Sequence, residues 1–483
     1  MADAAIAAMT MRLYNTLTRR EEEFHPGPDD TVRMYTCGLT VYARGHIGNF
    51  RTFICTDVLR RTLKYLLGYR VIQVMNFTDV DDRTIAGAQK EALDLRTYTE
   101  RYIAMFRDDA QALGLEQVEE TPRATDEANL RAMATMIAAL EANGHTYRSD
   151  GSIYFKIATM PEYGRLARLD HDGMKVGARV DADSYAKEDA RDFVLWKGHR
   201  DNEPAWEFPD IGIPLGRPGW HIECSAMALR LLGKPPIDIH AGGVDLVFPH
   251  HENEIAQSEG ATRQPFSRFW VHVEYLIVDE QKMSKSLGNT YTIPDVIAKG
   301  FRPSAVRYLL LSAHYRKQLN FTWASLGQAE EALRRLTDFL ARLETVAVAG
   351  SHPDVAARVD EAKRQFAEAM QDDLNTAASL GALFELVRAM NFAIDAGQLG
   401  TGDVPGIRDA FEQFDRVLGV LSLRRAEDER PPVAVDEIEK LIEDRLAARR
   451  RRDFAAADRI RDDLAARGVL LEDSTAGTRW KRK

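Results

Sequence analysis

An α/β fold with a parallel sheet, continued by a helical bundle, is what this sequence predicts, and three observations predict it. Apolar runs at 31–35 and 71–77 flank a helical pattern over 48–67, and two strands joined through a helix imply parallel pairing. From Pro303 to about Leu423, Leu, Phe and Ala recur every three or four residues with few glycines, as packed amphipathic helices require. The stretch after Pro432 is helical at first and ends in a short apolar run, too small for a large core of its own.

In chain order, the run at 31–35 reads as a buried strand. The 48–67 helix turns Phe50, Ile54, Val58, Leu59, Leu63 and Leu66 inward, with Gly68 as its C′ residue. The run at 71–77 is the second strand, and ligands collect at the carboxyl ends of such strands. Two amphipathic helices follow at 95–113 and 125–142. Tyr147 and Ile153-Tyr154-Phe155 alternate around a Ser149-Asp150-Gly151 turn, a hairpin signal. Strand patterning resumes at 192–197 and at Ile237-Asp238-Ile239-His240, so the region between reads as an insertion in a nucleotide-binding fold. The 269–278 run is strand-like and leads into a lysine-rich loop. A charged, proline-marked link at 424–432 precedes a terminal helix, helix and strand at 469–472. The expected organisation is a Rossmann-type catalytic domain at 1–120 and 190–302, a connective insertion at 121–189, a helical bundle at 303–423, and a small mixed domain at 433–483.

A chain of 483 residues exceeds a single core. Its 45% hydrophobic and 29% charged residues are ordinary for a globular protein. No basic, apolar leader is evident and no apolar run is read as a bilayer span, so a cytoplasmic protein without membrane attachment is expected. Three cysteines, Cys37, Cys55 and Cys224, are too few for a disulfide framework. A formal net charge of −10 argues against indiscriminate coating of nucleic acid. A local basic patch, at 449–452 or in the tail around Trp480, would still suit one RNA.

Two stretches carry phosphate chemistry. Gly45-His46-Ile47-Gly48-Asn49 opens a helix after a strand, where backbone N–H groups and the helix dipole favour an anion. His46 can donate to a phosphate oxygen, and Gly48 lets a ligand approach the backbone. Lys282-Met283-Ser284-Lys285-Ser286 gathers two cations and two hydroxyls in a loop with Gly288, suited to the outer phosphates of ATP.

A third set suits a metal ion. Cys37 ends the first strand and Cys224 closes Trp220-His221-Ile222-Glu223-Cys224. In Pro249-His250-His251-Glu252-Asn253-Glu254, His250 and Glu254 share one helical face. Two thiolates, an imidazole and a carboxylate make a zinc-type donor set, and helical geometry admits His250 or His251. The zinc-protease motif is excluded because its second histidine would fall at Ile255. Gly38 and Thr40 adjoin Cys37, and Trp220 would wall a pocket. Gly242 and Gly243 follow a strand, and Asp245 could accept from a ribose hydroxyl. Asp79, Asp81 and Asp82 crowd a strand end and read as structural or ammonium-binding rather than as a magnesium site. Cys55 is read as core.

The two phosphate stretches together resemble the paired signatures of class I aminoacyl-tRNA synthetases. Tyr35 to Tyr42, Arg217 to Met227, Phe248 to Glu254 and the lysine loop narrow the resemblance to the cysteinyl-tRNA synthetase family. Asn49 stands where the class often has a second histidine. The resemblance implies catalytic roles for His46, Asn49, Lys282 and Lys285, and an ATP site shared with Gly48, Gly242, Gly243, Asp245, Ser284 and Ser286. It implies amino-acid contacts from Gly38, Thr40 and Trp220, and one Zn2+ on Cys37, Cys224, His250 and Glu254. The substrates would be L-cysteine, ATP with Mg2+, and tRNA(Cys), handled by a monomer with Trp480 stacking on a tRNA base. The competing enzyme is a cysteine:amino-sugar ligase of low-molecular-weight thiol synthesis, which has no use for the C-terminal tRNA-binding region. A catalytically silent tRNA-binding descendant would have eroded the phosphate and metal residues.

Overall fold

The computed structural model describes residues 10–27, 29–169, 191–284, 287–429, 433–474 and 477–482. Four strands make the central sheet: β1 (Thr31–Thr36), β2 (Arg70–Met75), β3 (Ile237–Gly243) and β4 (Ser267–Val273). Their order is β4-β3-β1-β2 and every pair is parallel. Val32, Met34, Ile237, Ile239 and Val271 are buried, which accounts for the apolar runs of a sheet covered on both faces. From β1 the chain moves to β2 on one side, whereas β3 and β4 lie on the other. The topological switch therefore falls between β1 and β3, and the crevice at their carboxyl ends is the favoured ligand position.

Helix α1 (Ile47–Arg61) crosses between β1 and β2 and buries Phe50, Phe53, Ile54, Val58 and Leu59. Its last turn, Thr62–Leu66, has π geometry, and Gly68 follows at φ 74°. Phe50, Phe53 and Phe106 pack ring on ring at 5.1–6.0 Å, fixing α1 to α2 (Leu95–Ala112). Aromatic pairs at this separation add specific geometry to apolar burial. Further on, α3 (Trp220–Leu232) and α4 (Glu252–Thr262) flank β3 in the chain.

The inserted region is a five-stranded antiparallel sheet, Thr146–Ser149, Ser152–Phe155, Phe193–Gly198, Ile213–Pro218 and Trp206–Phe208 in spatial order. Its first hairpin turns at Asp150 and Gly151, both at positive φ, as a two-residue turn of the expected kind demands. Phe193–Gly198, grouped by patterning with the nucleotide fold, pairs antiparallel with Ser152–Phe155 and Ile213–Pro218 instead. The inserted sheet thus runs on to Pro218, because alternation reveals a strand but not its partner.

The 269–278 run is two strands. β4 ends at Val273, and β5 (Leu276–Val278) joins a separate sheet. There it pairs parallel with β6 (Leu319–Phe321) and antiparallel with Gln281–Lys282. β6 also interrupts the helical stretch after Pro303. Helices Trp323–Leu343, Pro353–Gln371, Thr376–Asp395 and Val404–Leu418 form the bundle. Thr376–Asp395 is long and apolar enough to cross a membrane by length and composition, but Leu380, Leu383, Leu386 and Met390 are buried in the bundle core. The expected link at 424–432 begins inside a helix, Leu421–Asp428, where buried Arg424 pairs with Glu330 at 2.7 Å. The terminal unit holds a second strand beyond the one expected: Gly477–Arg482 pairs with Val469–Ser474.

Candidate active site

At the switch point lies a cleft of about 580 Å3. Cys37, Thr40, Trp220, Gly243 and Asp245 line it, and so do His46, Gly48, Asn49, Lys282 and Ser284. Two regions separated by over two hundred residues thus share one space. Lys285 and Ser286 lie outside the described residues.

The metal-type cluster is built by the residue after β1, by α3, and by the Val247–His251 turn with the first turn of α4. Cys37, Cys224, His250 and Glu254 are buried, and their ligand atoms lie within 4.8 Å of one another. Cys37 Sγ is 3.8 Å from Cys224 Sγ and 3.5 Å from Glu254 Oε1. His250 Nε2 is 3.1 Å from the same oxygen. A tetrahedral ion with sulfur at about 2.3 Å needs an S–S edge of about 3.8 Å, and nitrogen or oxygen at about 2.1 Å needs edges near 3.4 Å. The donors therefore fit a zinc-sized ion. A second set, Cys37, His240, His251 and Glu254, meets the same distance limit.

Electrostatics separates these donors. Burial raises the Glu254 carboxyl, but His240 and His250 outweigh it and hold the group at about 2. Burial lowers His250, yet Glu254 and Cys224 bring it up to about 10. Burial pushes the Cys37 thiol well up, whereas Cys224, although burial raises it too, is drawn down to about 6 by Cys37 and His250. The cluster is thus organised around separated charge, and a cation can replace its protons. His251, by contrast, is pushed well down by burial and by its neighbouring histidines. Its Nε2 sits 3.3 Å from Cys37 Sγ and its Nδ1 2.7 Å from His272 Nε2. Trp220 stacks on the His250 ring at 4.3 Å.

At the start of α1, His46 is the N-cap. Its Nδ1 accepts from the Asn49 N–H at 3.2 Å, and Asn49 Oδ1 accepts from the His46 N–H at 3.0 Å. The departure at Asn49 therefore serves as half of a reciprocal cap. With Nδ1 accepting, a neutral His46 carries its proton on Nε2. The helix start offers fewer donors than the sequence implies: the Ile47 N–H goes to Tyr291 O at 2.9 Å, and among the described residues the Gly48 N–H has no backbone partner. A Cβ at Gly48 would lie 3.0 Å from His46 Nδ1 and 3.5 Å from Met283 Cε.

The remaining expected residues divide. Gly243 and the exposed Asp245 face the cleft. Gly242 is buried, where a Cβ would come 2.9 Å from the His251 ring. Gly38 passes the Asn76 carbonyl closely and donates to Asn76 Oδ1 at 2.9 Å. Exposed Lys282 lies 5.5 Å from the Tyr275 ring, and the Ser284 N–H donates to Asn289 Oδ1 at 2.7 Å. Asp79 accepts from Thr125, Asp81 caps the Asp82–Lys90 helix, and Asp82 holds Lys197 and Arg217. All three carboxylates have structural partners. Trp480 is half-buried against the small core of Val433, Ile438, Leu464 and Val469, far along the chain from the cleft.

Comparison with known proteins adds the family. Residues 23–331 match the tRNA synthetases class I (C) catalytic domain, 365–422 the DALR domain, and 432–480 the cysteinyl-tRNA ligase anticodon binding domain. The cysteine–tRNA ligase of Solibacter usitatus is 49% identical over 476 residues, covering 98% of this chain and 100% of that protein. That of Koribacter versatilis is 45% identical, with 98% and 100% covered. The chain belongs to the cysteine–tRNA ligase family. It is a class I aminoacyl-tRNA synthetase. In fold it is similar to a solved Mycobacterium tuberculosis methionyl-tRNA synthetase in complex with methionyl-adenylate, with a TM-score of 0.58 at 16% identity over 81% of this chain and 90% of that one.

For a cysteine–tRNA ligase, two histidines that the sequence does not single out, His240 and His272, stand around the thiolates beside His251, the alternative ligand to His250. His240 Nε2 meets Glu254 Oε2 at 2.9 Å, His251 meets Cys37, and His272 continues from His251 to Thr16 Oγ1 at 2.8 Å. The available signal was a polar residue inside an apolar strand pattern: His240 and His272 both lie on strands and are buried, and buried polar groups have partners.

Proposed function

We propose that the cleft joins L-cysteine to tRNA(Cys) in two steps, in a monomer. The cysteine carboxylate attacks the α-phosphorus of ATP, delivered with Mg2+, giving cysteinyl-adenylate and pyrophosphate. A terminal ribose hydroxyl of the tRNA then attacks the activated carbonyl and releases AMP. The observation that carries this reading is the single cleft lined by Cys37 and Trp220 together with His46, Gly48, Asn49 and Lys282. Amino-acid selection and phosphate activation share one space.

His46 Nε2 and the Gly48 N–H donate to oxygens at the α-phosphate as charge develops there, while Lys282 and Lys285 neutralise the β- and γ-phosphates with Ser284 and Ser286 beside them. Asn49 holds His46 in its tautomer. Gly243 and Asp245 suit the ribose, and Gly38, Thr40 and Trp220 surround the amino acid. Cys37, Cys224, His250 and Glu254 would hold a zinc. Bound there, zinc would favour a sulfur ligand over a hydroxyl and so separate cysteine from serine. His250 is preferred to His251 because its set contains both thiols. The match at 432–480 favours tRNA over an amino-sugar as acceptor.

Cysteine-dependent exchange of pyrophosphate into ATP tests the first step, and charging of purified tRNA(Cys) tests the second. Lys285→Ala is expected to slow adenylate formation far more than it weakens cysteine binding. Equal losses in both would remove Lys285 from the phosphate role.

A further inference from the structure

Arg51 is an arginine in the wrong place for an ordinary ion pair. It lies in the second turn of α1, 1% exposed, and among the described residues no carboxylate forms a salt bridge with it. Its guanidinium donates instead to backbone carbonyls: to Tyr275 at 2.5 Å, to Lys317, and to His314 at 3.4 Å. Burying a cation without a counter-charge is costly unless its donors are satisfied. Here Nη1 and Nη2 are satisfied, while Nε is buried without a partner among the described residues, and the bonds tie α1 to two turns that are themselves bridged by the Glu274 N–H to Tyr315 O at 2.8 Å.

Those turns are the roots of the lysine loop. Tyr275 stands between β4 and β5, where the chain leaves the central sheet, and its side of the turn lines the cleft. His314 and Lys317 belong to the turn before β6, the strand that pairs with β5. β5 in turn pairs Ile277 with Lys282. The same turn is held from the bundle by Asp373, which accepts from Tyr315 Oη and Arg316 Nε, each at 2.6 Å. The far root of the loop is also tied to α1, through the Ile47 N–H and Tyr291 O.

We propose that Arg51 is a positioning residue for the phosphate chemistry: it sets the spacing between the helix start that carries His46 and the strand that delivers Lys282. It touches neither ATP nor cysteine. The proposal rests on the adenylation reading, and the two fail separately: absent cysteine-dependent exchange in the wild-type protein sinks that reading, whereas the variants below bear on Arg51 alone.

Arg51→Lys keeps the charge but cannot span three carbonyls in a planar fork. At saturating substrates its exchange rate is expected to fall at least tenfold, with the KM for cysteine and the metal content within twofold of wild type. Combined with Lys282→Ala, the losses are expected to be less than multiplicative, because both act through the same lysine. A rate within threefold of wild type, or fully multiplicative losses, overturns the proposal. If Arg51→Lys does not fold, Tyr315→Phe loosens the same turn from its other side. It is expected to lower the exchange rate at least threefold at unchanged KM for cysteine, and an unchanged rate overturns the proposal.

Discussion

An alanine at Gly38 would put its Cβ 1.7 Å from the carbonyl oxygen of Asn76, where side-chain carbons essentially never come within 3.0 Å of a neighbour. The two backbones would have to part by the difference, about 1.3 Å. Neither side yields easily. The Gly38 N–H donates to Asn76 Oδ1 at 2.9 Å, and the preceding Cys37 N–H donates to Ala241 O at 3.1 Å. Metal–ligand distances hold to about 0.2 Å, so a shift of this size beside Cys37 exceeds the tolerance several times over. The expected outcome is loss of bound metal and a rise in the KM for cysteine of about 10- to 100-fold, the range found when a metal site is disturbed from outside its ligands. The KM for ATP should hold, because His46 and Lys282 are carried by α1 and the β5 hairpin. Elemental analysis of the purified protein and cysteine-dependent exchange at varied cysteine and ATP make the measurement. Gly38→Ala with full metal content and an unchanged KM for cysteine would refute the reasoning, since it would mean that the strand end accommodates the methyl group without moving the thiol.

Two other predictions concern single side chains. His250→Ala is expected to abolish metal binding, whereas His251→Ala retains at least half of it. Retained metal in His250→Ala with loss in His251→Ala, measured by elemental analysis, would favour the set built on His240 and His251, and equal loss in both would refute the distinction. In the terminal unit, hydrogen bonds from Arg445 and Thr478 hold the Asp473 carboxyl well below the usual aspartate range. A folded pKa below the unfolded one means that this stabilisation is fully present above about pH 4 and is lost as pH falls through the lower folded value. Protection of the backbone amides across Val469–Ser474, taken relative to the intrinsic exchange rate at each pH, should therefore fall in acid in the wild-type protein, and Asp473→Asn should show that lower protection already at neutral pH. A variant with wild-type protection at both pH values would exclude Asp473 as the anchor.

Much of the fold is legible in the sequence, and the exceptions have a common cause. Strands β1 to β3 and helix α1 announce themselves by local periodicity, and Cys37, Cys224 and Glu254 stand out as candidate donors by residue type and spacing, with His250 and His251 both open. What local pattern cannot supply is the identity of a distant partner. The run Phe269 to Val278 contains neither glycine nor proline, so nothing in it marks the change of sheet. That change is enforced by β6 and by Arg51, about forty residues downstream and over two hundred upstream. The same limit applied to Phe193–Gly198, whose antiparallel neighbours decide its sheet. At the helix start, the motif announced an anion site but not that the Tyr291 carbonyl takes one of its donors. Asn49 looked like a departure from the commonest pattern, and its reciprocal bond with His46 shows what an amide contributes at that position.

The pairing of β5 with β6 also bears on how the molecule can be dissected. A fragment ending at residue 302 would keep both signatures in its sequence yet lose Leu319–Phe321 and the His314 and Lys317 carbonyls. Its lysine loop would hang from a strand with no parallel neighbour, and the Arg51 cation would be left with a single acceptor. The smallest autonomous catalytic unit must therefore extend beyond Phe321. Two pieces divided between 302 and 319 would each be incompetent alone, and restored activity on mixing would report their reassembly.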